Sequence, residues 1–102
     1  MNNRRSMFET GEIVEIIMGR DKGNFAVVVD IIDDRFLLIA DGDKRKHDNP
    51  KRKNVHHIRS KAYISKEIVN TVMENKKLSN AKLRYVLQDF ISNHLNKDEK
   101  GE

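Results

Sequence analysis

The chain predicts an α+β fold, a small five-stranded β-sheet closed into a barrel and followed by a C-terminal helical hairpin. Three observations predict it. From about Gly11 to Ile58 the sequence holds short runs of β-branched residues separated by Gly and Asp turns. From about Ser65 to Leu95 the apolar residues recur at helical spacing instead. A length of 102 residues suffices for one modest core, so the two sections are expected to share it. The division is drawn at residues 1–61 for the barrel with its basic loop, and 62–102 for a helical tail packed on or beside it.

Gly11-Glu12 opens the first strand run, Ile13-Val14-Glu15-Ile16-Ile17-Met18, which Gly19 stops. The loop Gly19-Arg20-Asp21-Lys22-Gly23-Asn24 has the residue types that let a chain reverse. In the second run, Phe25 to Ile32, alternation puts Phe25, Val27, Val29 and Ile31 on one face, with Asp30 the polar break on the other. Asp33-Asp34 makes a tight polar link to a third strand, Phe36-Leu37-Leu38-Ile39-Ala40. Both faces of these strands are largely apolar. A sheet that bends onto itself, with helices over part of its outside, would bury both. Asp41-Gly42 forms the next turn, and segments around Lys44–Lys46 and Val55–Ile58 are expected as fourth and fifth strands.

Pro50 lacks an amide donor and fixes its own φ, so the basic stretch around it is expected to be a loop laid over the surface. After Lys61 the period changes. Ser65 suits an N-cap, and Ile68, Val69, Val72 and Met73 form an apolar stripe that ends at Asn75-Lys76-Lys77. Ser79 or Asn80 can cap a second helix with Leu83, Val86, Leu87, Phe90, Ile91 and Leu95 on one side. The polar residues Asn96 to Glu102 are expected to fray.

Charge is unevenly spread. The net +4 of the chain resolves into −2 over residues 1–40, +5 over 41–61 and +1 over 62–102. The central segment holds eight basic against three acidic side chains, with His47, His56 and His57 besides. Such a concentration is the electrostatic footprint of a polyanion partner, although a solvated basic face has the same composition.

The strand section resembles the KOW motif of ribosomal and transcription-elongation proteins. The matching residues are Gly11-Glu12-Ile13-Val14, Gly19-Arg20-Asp21-Lys22-Gly23 and Val27-Val28-Val29-Asp30-Ile31-Ile32-Asp33. Within that superfamily it is similar to the large-subunit ribosomal protein fourteen-e group and its bacterial KOW relatives. The further marks are Phe36-Leu37-Leu38-Ile39, Asp41-Gly42 and the run Pro50-Lys51-Arg52-Lys53-Asn54-Val55-His56-His57-Ile58. The resemblance covers roughly the first 60 residues and says nothing of the helices. It implies a five-stranded barrel of the Src-homology-three-like kind. It also implies ribosomal RNA or another structured RNA as ligand, with the large ribosomal subunit as partner.

Three groups of side chains suit that ligand. Lys44, Arg45, Lys46, Lys51, Arg52, Lys53, Arg59 and Lys61 offer charge to phosphates. Arg20 and Lys22 flank glycines whose backbone could approach a phosphate closely, though turn formation alone explains those glycines. Asn54, His56 and His57 could donate to a 2′-hydroxyl or a base edge. His56 and His57, if on a strand, point to opposite faces, so one of them is expected to be structural. Phe25 and Phe36 have core-like contexts, which leaves Tyr63 and Tyr85 as stacking platforms and favours backbone recognition over base reading.

A non-enzyme is expected. There is no Cys, no Ser in a nucleophile pattern, and no Lys-Ser/Thr pair after Gly19–Gly23 to make a phosphate-binding loop. His47, His56, His57 and His94 lack metal-ligand spacing, so no metal or cofactor is expected. No apolar run is longer than Phe36–Ala40 and no export signal follows Arg4-Arg5, so the expected setting is the cytoplasm, away from membranes. The second functional reading is a protein-interaction module docking on a transcription or translation factor through the helices, with Lys82, Arg84 and Tyr85 as its rim.

Overall fold

The computed structural model describes residues 8–95, so the expected fraying of 96–102 falls outside the described residues. The strands are β1 (Glu12–Ile16), β2 (Phe25–Ile31), β3 (Phe36–Ala40), β4 (Lys51–Asn54) and β5 (Ile58–Ile64). Helices α1 (Lys66–Met73) and α2 (Asn80–Phe90) follow, and a π turn, Ile91–Leu95, prolongs α2. Every strand pairing is antiparallel, in the lateral order β4-β3-β2-β1-β5. The result is a small α+β fold.

The sheet is not the closed barrel that the sequence predicts. β4 and β5 are its two edges, and among the described residues they do not pair with each other. Between them lies a 3₁₀ turn, Val55–His57, which directs β5 onto β1 instead. The fourth and fifth strands also sit later in the chain than expected. The basic segment Lys51–Asn54 is a strand rather than a surface loop, because β3 offers it a ladder from Phe36 to Ile39. Residues Lys44–Lys46 belong to the turn before it. His56 and His57 lie on the 3₁₀ turn, so strand alternation does not apply to them.

Two apolar clusters occupy the two faces of the sheet. Val14, Ile16, Ala26, Val28, Leu37, Ile39, Val55 and Ile58 pack on one face together with Phe8. On the other, Ile13, Val27 and Ala40 lie under Leu83, Val86, Leu87 and Phe90 of α2, with Ile68 of α1 joining them. Both faces are thus buried, one by curvature and the other by helices. A bulge between Val28 and Asp30 shifts the register of β2 against β3. It moves Ile31 to the Phe8 face, away from Phe25, Val27 and Val29, with which simple alternation groups it.

The helix ends follow local rules. The Ser65 side chain accepts the Ile68 amide, and the Ser79 side chain accepts the Lys82 amide at 3.1 Å. α1 stops in a Schellman arrangement, with Asn75 left-handed at φ 60°, Asn75 N donating to Val72 O and Lys76 N to Thr71 O. The expected α1 stripe is only half realised. Ile68 is buried, whereas Val72 is 39% and Met73 77% exposed, because α1 meets the sheet over a single turn.

Candidate nucleic-acid interface

The two loops beside β4 are built by short-range backbone chemistry and then tied together. In the β1–β2 loop, Gly19 and Gly23 take φ of 100° and 95°, values that a Cβ disfavours. Gly23 N donates to Ile16 O at 2.7 Å, and Lys22 N to Gly19 O at 3.2 Å, which closes the loop. In the β3–β4 loop the Asp41 carboxylate accepts the amides of Asp43 and Arg45, each at 2.9 Å. Arg45 then reaches Asp21 of the first loop, Nη2 to Oδ2 at 3.3 Å, while Lys53 Nζ donates to Met18 O at 3.4 Å. These two links tie the loops carrying Arg20, Lys22 and Lys44 to each other and to Lys53, and Arg45 offsets Asp21, while Asp41 and Asp43 stay beside Lys44 along the groove.

Not every predicted cation joins that group. Antiparallel pairing sets Lys51 and Lys53 on the same side of β4 as Ile39 and Leu37, and Arg52 and Asn54 on the opposite side with Leu38 and Phe36. Arg52 lies over the Phe36 ring, with Cζ 4.4 Å from its centroid. Arg59 pairs with Glu15 across β5 and β1, and Lys61 bridges the same Glu15 at 3.6 Å while standing 5.7 Å from the Phe25 ring. Lys46 is exposed and its carbonyl accepts the Asn49 amide. Asn54 caps the 3₁₀ turn by accepting the His56 amide at 2.8 Å. His56 is exposed, whereas His57 is half-buried and its carbonyl accepts the Ile17 amide at 2.9 Å.

α2 takes part in shaping this end of the molecule. Arg84 Nη1 donates to Gly42 O at 2.7 Å, and His47 N donates to Asn80 Oδ1 at 2.8 Å. Arg84, expected at the rim of a partner surface, therefore clamps the β3–β4 loop from the helix. A groove of about 390 Å³ opens between the two loops and α2, lined by Gly23, Asn24, Lys44 and Arg84 among others. Lys82 reaches Thr71 Oγ1 of α1 at 3.5 Å, and Tyr85 stands 61% exposed beside a second groove with Tyr63 and Lys66. Tyr63 itself is half-buried, 5.4 Å from Phe90 and 4.4 Å from His94, at the margin of the helix-covered cluster.

Sequence reasoning missed the Arg84 and Asn80 contacts and the Arg52–Phe36 pair. The first two join residues 42 and 33 positions apart. The third depends on the β3–β4 register, which a Lys-Arg-Lys-Asn segment without apolar alternation does not announce. Among the described residues no group of three His, Cys, Asp or Glu side chains could hold a metal ion, and no helix is long and apolar enough to cross a membrane.

Strand order, cross-tied loops and a basic edge strand define a small α+β protein with a cationic sheet end. No protein-family model matches the chain. A protein of Bacillus subtilis (strain 168) named "Putative ribosome-binding protein YbzG" is 30% identical over 70 residues, which span 69% of this chain and 95% of that protein. The chain belongs to the family of that Bacillus protein.

Proposed function

We propose that this chain is a non-enzymatic, cofactor-free RNA binder that associates with ribosomal RNA of the large subunit in the cytoplasm, as a ribosome component or as an assembly or translation accessory factor. The observation that carries the proposal is the pair of links Arg45–Asp21 and Lys53–Met18. They tie the β1–β2 loop to the β3–β4 loop and to the edge strand, which holds Arg20, Lys22, Lys44 and Lys53 in one region of the surface. A phosphate field is the partner that such a pre-arranged set of cations suits. The name of the Bacillus relative, as a ribosome-binding protein, supports the same partner. We read the sheet as a KOW-type unit whose β4 and β5 edges stay apart, on the strength of the Gly19–Gly23 loop and the strand order.

The test is sedimentation of a cell lysate on a sucrose gradient at low and high salt. Co-migration with the large subunit, lost at high salt and in the Lys51→Gln/Arg52→Gln/Lys53→Gln variant, is the expected result. A protein that stays at the top of the gradient in both salts sinks the ribosome assignment. The second reading, docking on a transcription or translation factor, rests on the exposure of Tyr85 beside the groove it shares with Lys66. Apolar docking there would persist at high salt and fail in Tyr85→Ala, whereas RNA binding would be unaffected by that change.

A further inference from the structure

The two faces of β4 offer a ligand different chemistry. Lys53, on one face, is a point charge that reaches the Gly19 loop. Arg52, on the other, is exposed and lies over the Phe36 ring at 4.4 Å. An exposed guanidinium resting on an aromatic ring keeps a solvent-facing side, and guanidinium planes stack on unpaired bases. Phe36 and Leu38 belong to neither buried cluster, so α2 stops short of this part of the sheet.

The neighbours of Arg52 suit a base better than a phosphate. Asp33 Oδ1 accepts the Phe36 amide at 2.8 Å and the Arg35 amide at 2.8 Å, which fixes a carboxylate at the start of β3, within electrostatic reach of Arg52. Those two amides hold the Asp33 carboxyl below its ordinary pKa, so it stays charged at neutral pH. A fixed negative charge repels a phosphate and accepts hydrogen bonds from the amino groups of bases. Asn54, paired with Phe36 across the two strands, completes the spot. Its Oδ1 accepts the His56 amide, which leaves the NH₂ group as its donor for a base edge.

We propose that Arg52 on Phe36, with Asn54 and Asp33 beside it, forms a stacking subsite for one unpaired RNA base, separate from the phosphate-facing loops. The proposal rests on the RNA reading above and assigns Arg52 a different task from Lys51 and Lys53. The set of four lies within the β3–β4 hairpin and the turn that precedes it. A bulged or looped-out nucleotide of folded RNA could enter it while the neighbouring backbone runs over the basic loops.

The experiment measures binding of the full chain to protein-free large-subunit ribosomal RNA by filter retention. An excess of either unpaired or duplex RNA of equal phosphate number serves as competitor. Arg52→Lys keeps the charge and removes the planar face. It is expected to bind about tenfold more weakly, to lose the preference for the unpaired competitor, and to keep the wild-type salt slope. Phe36→Leu should lose the same preference, with its thermal midpoint recorded to separate stacking from folding. If Arg52→Lys binds and discriminates like the wild type, Arg52 is a charge only and the subsite is wrong. If the wild type does not bind the RNA at all, the RNA reading itself falls and the subsite with it.

Discussion

Gly42 stands at φ 82°, and a Cβ placed there would come within 2.3 Å of the Asn80 carbonyl oxygen. Glycine is required twice over, by the backbone angle and by the close approach of α2. Gly42→Ala is therefore expected to cost at least about 2 kcal/mol of stability in chemical denaturation. Weakened RNA retention would accompany it, because the loop carrying Lys44 and Arg45 hangs on this contact. Asp33 gives a second residue-level expectation. Its folded-state pKa is lowered, first by the Arg35 amide and then by the Phe36 amide. Its contribution is thus complete above the unfolded value of about 3.9 and is lost as pH falls through the lower folded value. Thermal midpoints followed downward from pH 5 should fall less in Asp33→Asn than in the wild type, since the amide cannot be protonated in that range. Individual side chains were legible in the sequence where their partner is a few residues away, as for Ser65 with Ile68. They were illegible where the partner is distant, as for Arg84 with Gly42.

Among the elements, α2 contributes most to the covered face of the sheet. Leu83, Val86, Leu87 and Phe90 are all buried against β1, β2 and β3 residues, and Phe90 also meets the Phe25 ring edge-on at 6.1 Å. Phe90→Ala should cost about 3–5 kcal/mol, whereas Met73→Ala on the exposed end of α1 should stay within about 0.5 kcal/mol; urea midpoints would separate the two. α2 could be read from its 3.6-residue period because burial imposes that period on every turn. α1 misled, since Val72 and Met73 keep the apolar pattern without the burial. β2 was legible as a strand, but the bulge at Val28–Asp30 leaves no mark in hydrophobic alternation, so the face of Ile31 was not. β4 was illegible for a different reason. Its conformation comes from pairing with β3, and its charged side chains carry no period.

At the scale of the whole molecule, edge strand β4 and the two loops tied to it carry a run of basic side chains, and the helices cover one face of the sheet. Binding to folded RNA should therefore weaken with salt, with log K falling linearly in log salt concentration. The Lys51→Gln/Arg52→Gln/Lys53→Gln variant should have a slope shallower by about 2–3, measured by filter retention across a salt series. A slope unchanged from the wild type would mean that β4 does not face the phosphates.

Edge strand β4 also has a consequence for how copies of this protein meet each other. An edge exposes unpaired amides and carbonyls to any other extended chain, and two such edges can zip together into a larger sheet. Here the outer edge is preceded by Pro50 and carries Lys51, Arg52 and Lys53, so two copies approaching edge to edge bring like charges into contact. The same residues that would attract a polyanion thus oppose edge-to-edge pairing of two copies. Removing their charge should raise light scattering at high protein concentration as well as weaken RNA retention. Neutralisation by a bound polyanion would lift the repulsion only where the polyanion itself already occupies the edge.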